Sequence, residues 1–228
     1  MSDQGELPDR GLAEFGLIET LLWTRDEGFF LLDEHLARIA ASAARLGFRY
    51  DEAKFRGALE CAVKGAAARL RVRIVLKASG ELESGATEIE PQSPGRFWRV
   101  ALARRRFSSA DPLLRHKTTR REIYEGELAA SGADEVLFLN ERDEVCEGAR
   151  TNVFLPRGGK LLTPPVGCGL LPGTLRAHLM KKGEAVESVL RLEDFERVEF
   201  FMGNSVRGLV RARFTEPNSS EACAANVK

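Results

Sequence analysis

The sequence predicts an α+β protein in two parts: a small N-terminal part mixing strands with helices, and a larger C-terminal part built on a mainly antiparallel sheet. Three observations predict it. From Glu135 onward, strand-like runs follow one another with only turns between them, a succession that a doubly wound fold would interrupt with helices. Earlier in the chain a hairpin pattern leads into two helical ones. Between them Ser108-Ser109-Ala110-Asp111-Pro112 has the composition of a linker. The expected division is a small domain over 1–107, a linker over 108–113, a large domain over 114–215 and a flexible tail over 216–228.

In order along the chain, residues 15–32 read as two strands, joined by the polar turn Thr24-Arg25-Asp26-Glu27-Gly28. Asp33 is placed to cap a helix in which Leu36, Ile39, Ala40, Ala43 and Leu46 recur at helical spacing, and Gly47 ends it. Arg38 lies beside that apolar stripe. It is either a surface arginine with a buried stem or a fixed positive charge aimed into a cleft. Asp51 opens a second helix through Phe55, Leu59, Ala62 and Val63.

Leu70 to Leu76 alternates as a half-buried strand does, and Phe97 to Ala103 forms another. The stretch from Gly80 to Gly95, rich in Gly, Ser, Glu and Pro, reads as a surface loop. Next, Leu114 to Tyr124 sets Lys117 between an apolar turn and a helix that Thr118 or Thr119 could cap, with Ile123 and Leu128 on its buried side. A lysine held where a strand-like segment meets a helix start is a candidate amine nucleophile; the alternative is an exposed lysine beside Arg115, Arg120 and Arg121.

The C-terminal strands are Glu135 to Asn140, Glu144 to Leu155, a hairpin partner beyond Arg157-Gly158-Gly159, Val186 to Leu190, Val198 to Met202, and Gly208 to Phe214. Among them, Val166 to Met180 is a glycine-rich loop running into a helix. The free N–H groups of Gly173, Thr174 and Leu175 at that helix start favour an anion such as phosphate. Gly203-Asn204-Ser205 forms a second small turn with amide and hydroxyl donors.

Charge excludes some functions. The chain has 34 Lys+Arg and 34 Asp+Glu, so nothing global draws it to nucleic acid or an anionic membrane. Arg104-Arg105-Arg106 lacks an aromatic platform and reads as a solvated strand end. No apolar run is long enough to span a bilayer and the N-terminus is polar, which suggests a cytoplasmic protein. The four cysteines and three histidines show neither a zinc spacing nor a disulfide framework, so no metal is expected.

The ordered set His35-Leu36-Ala37-Arg38, Lys117 with Tyr124, Glu147 with Asn152, Leu171-Pro172-Gly173 and Asn204-Ser205 resembles the class IV (fold type IV) pyridoxal-phosphate enzymes. That family holds branched-chain and D-amino acid aminotransferases and aminodeoxychorismate lyase. The likeness is strongest to the lyase branch, including the lyase domain fused to aminodeoxychorismate synthase, and it spans roughly residues 15 to 213. Two departures stand out. Phe15 to Thr20 lacks the Gly-Asp-Gly common in the family, and Arg150 puts a positive charge where fused lyases tend to be apolar.

The resemblance implies a two-domain fold type IV enzyme using pyridoxal 5′-phosphate, with Lys117 carrying the cofactor's aldehyde covalently and serving as general acid and base. It implies Glu147 at the pyridine nitrogen and Tyr124 near the ring hydroxyl. The 5′-phosphate would meet Arg38, the amides of Thr174 and Leu175, and the Asn204-Ser205 turn. Thr20, Trp23, Arg150 and Arg207 are candidates to line the substrate pocket. The implied activity is release of pyruvate and 4-aminobenzoate from 4-amino-4-deoxychorismate in folate synthesis, or alternatively transamination of branched-chain or D-amino acids. A homodimer is expected.

Overall fold

The computed structural model describes residues 15–93, 95–196 and 198–214; the expected tail over 216–228 lies outside them. The first layer is a four-stranded sheet in the order β2-β1-β3-β4, made of β1 (Leu17–Thr24), β2 (Gly28–Phe29), β3 (Leu70–Leu76) and β4 (Leu82–Glu88). β1 runs antiparallel to β3, with Thr20 opposite Arg73 and Leu22 opposite Arg71. Strand alternation then sorts the side chains. Leu17, Leu21, Leu70, Val72, Ile74 and Leu76 face a core shared with helices α1 (Leu32–Leu46) and α2 (Glu52–Ala62). Thr20, Arg71 and Arg73 face the other way.

Three expectations change here. The second strand is only two residues long, because Leu31 takes a left-handed backbone (φ 55°) and α1 starts directly after it. Leu31, without a side-chain hydrogen bond, caps the helix in place of Asp33, which sits in its first turn. The stretch expected as a loop from Gly80 contains β4, whose residues are mostly exposed and so lack the apolar alternation by which strands are recognised. Asp51 does cap α2, accepting from the Lys54 N–H at 3.1 Å, and Gly47 ends α1 at φ 73°.

The second layer is an eight-stranded sheet in the order β10-β9-β8-β11-β12-β5-β6-β7. Its members are β5 (Trp98–Leu102), β6 (Glu135–Leu139), β7 (Val145–Gly148), β8 (Asn152–Arg157), β9 (Lys160–Thr163), β10 (Ala185–Glu187), β11 (Phe200–Asn204) and β12 (Gly208–Phe214). Four of its seven pairings are antiparallel; β5 joins β12 and β6 in parallel, and β10 joins β9 in parallel. β5, inside the span 1–107 expected for the small domain, thus belongs to the large sheet.

The run expected as one strand from Glu144 to Leu155 is two, broken at 149–151. Only that short turn separates edge strand β7 from interior strand β8, so the sheet curls on itself. The buried carboxylate of Glu135 holds the turn, accepting from the N–H groups of Ala149 and Arg150 and from the Thr151 hydroxyl at 3.0 to 3.1 Å. Burial pushes the Glu135 pKa up, and these donors hold against it.

Helix α3 (Glu122–Ser131) starts later than the threonines predicted. Thr118 instead bridges to Leu17, and the Thr119 hydroxyl accepts from the Gly16 N–H at 2.9 Å. Ile123 turns outward rather than into the core, while Leu128 packs with Phe138 and Phe107 as expected. Helix α4 (Thr174–Lys181) packs on α1 and joins the two layers.

Candidate active site

The cleft between the sheets encloses a cavity of about 950 Å³, and the expected site residues Lys117, Glu147, Tyr124, Arg38, Thr174, Asn204, Ser205, Thr20, Arg150 and Arg207 all line it. Lys117 is carried on an extended segment zipped onto β1: the Ile18 N–H donates to the Lys117 carbonyl at 2.7 Å and the Thr119 N–H to the Gly16 carbonyl at 2.9 Å. His116 beside it meets the Ser42 hydroxyl on α1 at 2.9 Å. The amine therefore stands at a junction of both layers, half-buried at the cavity wall. Burial lowers its pKa to about 7, with Arg121 and Arg38 adding to the shift and Glu19 and Glu147 opposing it.

Glu147 lies on β7, 4 % exposed. Burial pushes its pKa up to about 7 against the Leu171 N–H, the Tyr124 hydroxyl, Arg121 and Lys117. Leu171 donates to Oε2 at 3.2 Å and Tyr124 to Oε1 at 3.0 Å. Tyr124 is fixed by aromatic packing, with ring centroids 5.1 Å from Phe107 and 5.3 Å from Phe138, which themselves stack at 4.4 Å. Its hydroxyl is thus committed to the Glu147 carboxylate.

At the other side of the cavity the residues make a cup of hydrogen-bond donors around a helix start. Gly173 starts α4 with no side-chain cap, and the first intrahelical bond runs from the Ala177 N–H to the Gly173 carbonyl at 2.9 Å. The N–H groups of Thr174, Leu175 and Arg176 therefore precede the helix's own ladder. A Cβ on Gly173 would come within 2.0 Å of Asn152 Oδ1, so only glycine lets the loop pass. Asn152 in turn donates to the Leu171 carbonyl at 3.0 Å. The side chain of Leu175 packs away from the cavity, against Phe154, Leu179 and Ala185, leaving it a backbone role alone.

Asn204 spends its side chain on the turn itself. Its amide donates to the Arg150 carbonyl at 3.0 Å, and its oxygen accepts from the Val206 and Arg207 N–H groups at 3.0 and 2.9 Å. Arg38 projects from α1 onto the cup, held by the buried carboxylate of Glu19 through bonds of 2.9 and 2.6 Å.

Sequence reasoning missed four contributors. Glu19 orders Arg38 and His35; the His35 ring bonds Glu19 through Nδ1 at 2.6 Å and meets Ser205 Oγ through Nε2 at 3.0 Å. Arg121 lies over the Tyr124 ring at 4.1 Å and donates to the Ala149 carbonyl. Arg71 and Arg73 also line the cavity. Strand parity could have found these last two, since they share the face of Thr20 across the Thr20–Arg73 register. The same parity corrects Trp23. It lies on the opposite face, packed into the small-sheet core rather than the cavity.

A half-buried lysine with a lowered pKa, a buried carboxylate facing it and an uncapped helix start beside an anchored arginine suit an aldehyde-bearing phosphate cofactor with a basic ring nitrogen. That defines the class: an enzyme that binds pyridoxal 5′-phosphate. Residues 16–213 match the model of the amino-transferase class IV family, and the chain belongs to that family. The cofactor is pyridoxal 5′-phosphate.

A Schizosaccharomyces pombe protein named as a candidate aminodeoxychorismate lyase is 30 % identical over 186 residues, 77 % of this chain and 78 % of that one. The crystal structure of a candidate amino-acid aminotransferase from Mesorhizobium loti superposes with a TM-score of 0.86 at 42 % identity, covering 89 % of this chain and all of that one. The PLP-bound form of a hypothetical aminotransferase from Mycobacterium tuberculosis shares the fold, with a TM-score of 0.76 at 21 % identity over 91 % of this chain and 85 % of that one.

Proposed function

We propose that this class IV enzyme is a lyase that converts 4-amino-4-deoxychorismate into 4-aminobenzoate and pyruvate, a step of folate synthesis. The observation that carries the reading is the charge of the cavity wall. Arg71 and Arg73 from the small sheet meet Arg150 and Arg207 from turns of the large one, and none of the four has an ion pair to a carboxylate among the described residues. The neighbouring positive charges of Arg71 and Arg150, after burial, lower the pKa of Arg207. Like charges gathered without a carboxylate partner suit a substrate with two carboxylates, and aminodeoxychorismate carries one on its ring and one on its enolpyruvyl arm. The name of the S. pombe relative supports the same reading.

In this scheme the bound cofactor supplies an electron sink for the charge left when a substrate proton departs. Lys117, neutral above a pKa of about 7, takes a ring proton from the substrate, and that proton ends on the departing three-carbon fragment, so pyruvate and 4-aminobenzoate together account for every substrate atom. Glu147, its carboxyl fixed by Tyr124 and Leu171, would meet the ring nitrogen, and Arg38 with the α4 start would hold the phosphate. The enzyme acts in the cytoplasm as a homodimer; among the described residues no helix is long and apolar enough to cross a membrane.

The M. loti neighbour supports a second reading, an aminotransferase in which Lys117 moves a proton from the substrate α-carbon. One sample decides between them. Pyruvate release from aminodeoxychorismate supports the lyase; amino transfer to an oxoacid with no pyruvate release overturns it. Borohydride trapping followed by peptide mapping tests whether the covalent link is at Lys117, and light scattering tests the dimer.

A further inference from the structure

We propose that His35 is a positioning residue that controls how many hydroxyl donors the cup at the α4 start can offer, so that a phosphate dianion binds there together with one proton, taken up by His35. The inference rests on the pyridoxal-phosphate assignment and concerns a residue with no role in the chemistry above.

His35 is 1 % exposed, and each ring nitrogen is engaged. Nδ1 faces Glu19 Oε2 at 2.6 Å, and a carboxylate so placed fixes the proton on Nδ1. Nε2 is then a single lone pair. Two buried hydroxyls compete for it, Ser205 Oγ at 3.0 Å and Thr174 Oγ1 at 3.2 Å, and both line the cavity beside the α4 start. While His35 is neutral, one of those hydroxyl protons is tied to Nε2, and that oxygen turns lone pairs toward an incoming anion. When Nε2 is protonated it donates to one hydroxyl oxygen, and both hydroxyl protons are free to point into the cup. A dianion therefore binds the protonated form better.

The charges around His35 set the resting state. Burial lowers its pKa below the usual histidine value; Glu19 on β1 opposes that, while Arg38 on its own helix and Lys117 on the strand-like segment reinforce it. From α4 and the β11–β12 turn come the Thr174 and Ser205 hydroxyls. The charge of Glu19 is already matched by Arg38, so the arriving dianion supplies the countercharge that a protonated His35 lacks.

The test uses 15N-histidine-labelled full-length protein freed of cofactor and titrated at slightly alkaline pH with 4′-deoxypyridoxine 5′-phosphate, which has the ring and phosphate but no aldehyde. With three histidines in the chain, the His35→Gln variant assigns the signal. The expected result is a neutral His35 in the free protein that becomes doubly protonated on binding. Lys117 and Glu147 also titrate near neutrality, so His35 is read from the difference: affinity should fall with rising pH more steeply in the wild type than in His35→Gln, their ratio changing on the order of tenfold per pH unit. A His35 that stays neutral in the complex overturns the proposal without touching the cofactor assignment. Absence of binding overturns both. If that variant does not fold, His116→Gln and His178→Gln assign the remaining signal to His35 by elimination, and the wild-type measurement still decides.

Discussion

The guanidinium of Arg38 closes two hydrogen bonds onto the buried carboxylate of Glu19, Nε to Oε1 at 2.9 Å and Nη2 to Oε2 at 2.6 Å. Burial pushes the Glu19 pKa up, but Arg38 and His35 outweigh it and hold it at about 2. A depressed carboxylate stabilises the fold above its unfolded value of 4.5, and that contribution is lost as pH falls toward 2. Urea-unfolding midpoints should therefore drop across that acid window. Glu19→Gln should flatten the drop and cost about 3 kcal/mol near neutral pH, because it strands a buried charge. An unchanged acid limb in the variant would show that the pair contributes nothing.

Lys117 carries a second pH signature. With a pKa of about 7, its amine is the free nucleophile across the mildly alkaline range where exposed lysines remain protonated. The rate at which cofactor-free protein reacts with pyridoxal phosphate, followed by visible absorbance, should rise to a plateau just above neutral pH. A rate still climbing toward pH 10.5, the ordinary lysine value, would place the amine in solvent. Lys117→Ala should abolish the borohydride-stable adduct and lower turnover by about a thousandfold or more.

Glu147 has the opposite sign from Glu19. Its raised pKa means that the folded, cofactor-free protein binds more protons than the unfolded chain between 4.5 and about 7, so this group lowers stability as pH rises through that window. Glu147→Gln should leave the thermal midpoint nearly unchanged at the acid end and raise it above neutrality. Bound cofactor should reverse the benefit, since glutamine cannot keep a ring nitrogen protonated. Turnover should fall on the order of a hundredfold, measured beside the midpoint.

At Gly173 the consequence is steric. An added Cβ at 2.0 Å from Asn152 Oδ1 forces that amide aside and breaks its bond to the Leu171 carbonyl. Gly173→Ala should cost about 1–3 kcal/mol in denaturant unfolding and weaken pyridoxal phosphate binding about tenfold or more. Retained affinity would mean that the α4 start is not the phosphate site.

Trp23 and Arg73 separate pocket from core. Trp23→Ala should lower stability by about 3 kcal/mol with KM little changed, as expected of a ring packed in the small-sheet core. Arg73→Ala should leave the unfolding free energy within about 1 kcal/mol of the wild type and raise KM for a dicarboxylate substrate about tenfold. The reverse pattern would reject the face assignment of β1 and β3.

The amino-acid order alone determined the α+β class, both long N-terminal helices with the Asp51 cap and Gly47 stop, the glycine-rich start of α4, and the motif set that marks the family. These are local patterns, in which apolar periodicity and turn chemistry act within a few residues of one another. It misplaced what alternation decides at a distance. Trp23 and Thr20 differ by an odd number of positions on one strand, so only one of them can face the cleft, and the pairing of β1 with β3 and α1 chooses which.

Tertiary structure alone decided the partners of the charges. Glu19 and Arg38 lie on different elements, Glu147 reaches Tyr124 across 23 positions, and Ser205 reaches His35 across 170. No spacing rule predicts such pairs, because each forms only after burial has removed water as the competing hydrogen-bond partner. It is that burial, rather than any residue's identity, that brings the pKa values of Lys117 and Glu147 to about 7.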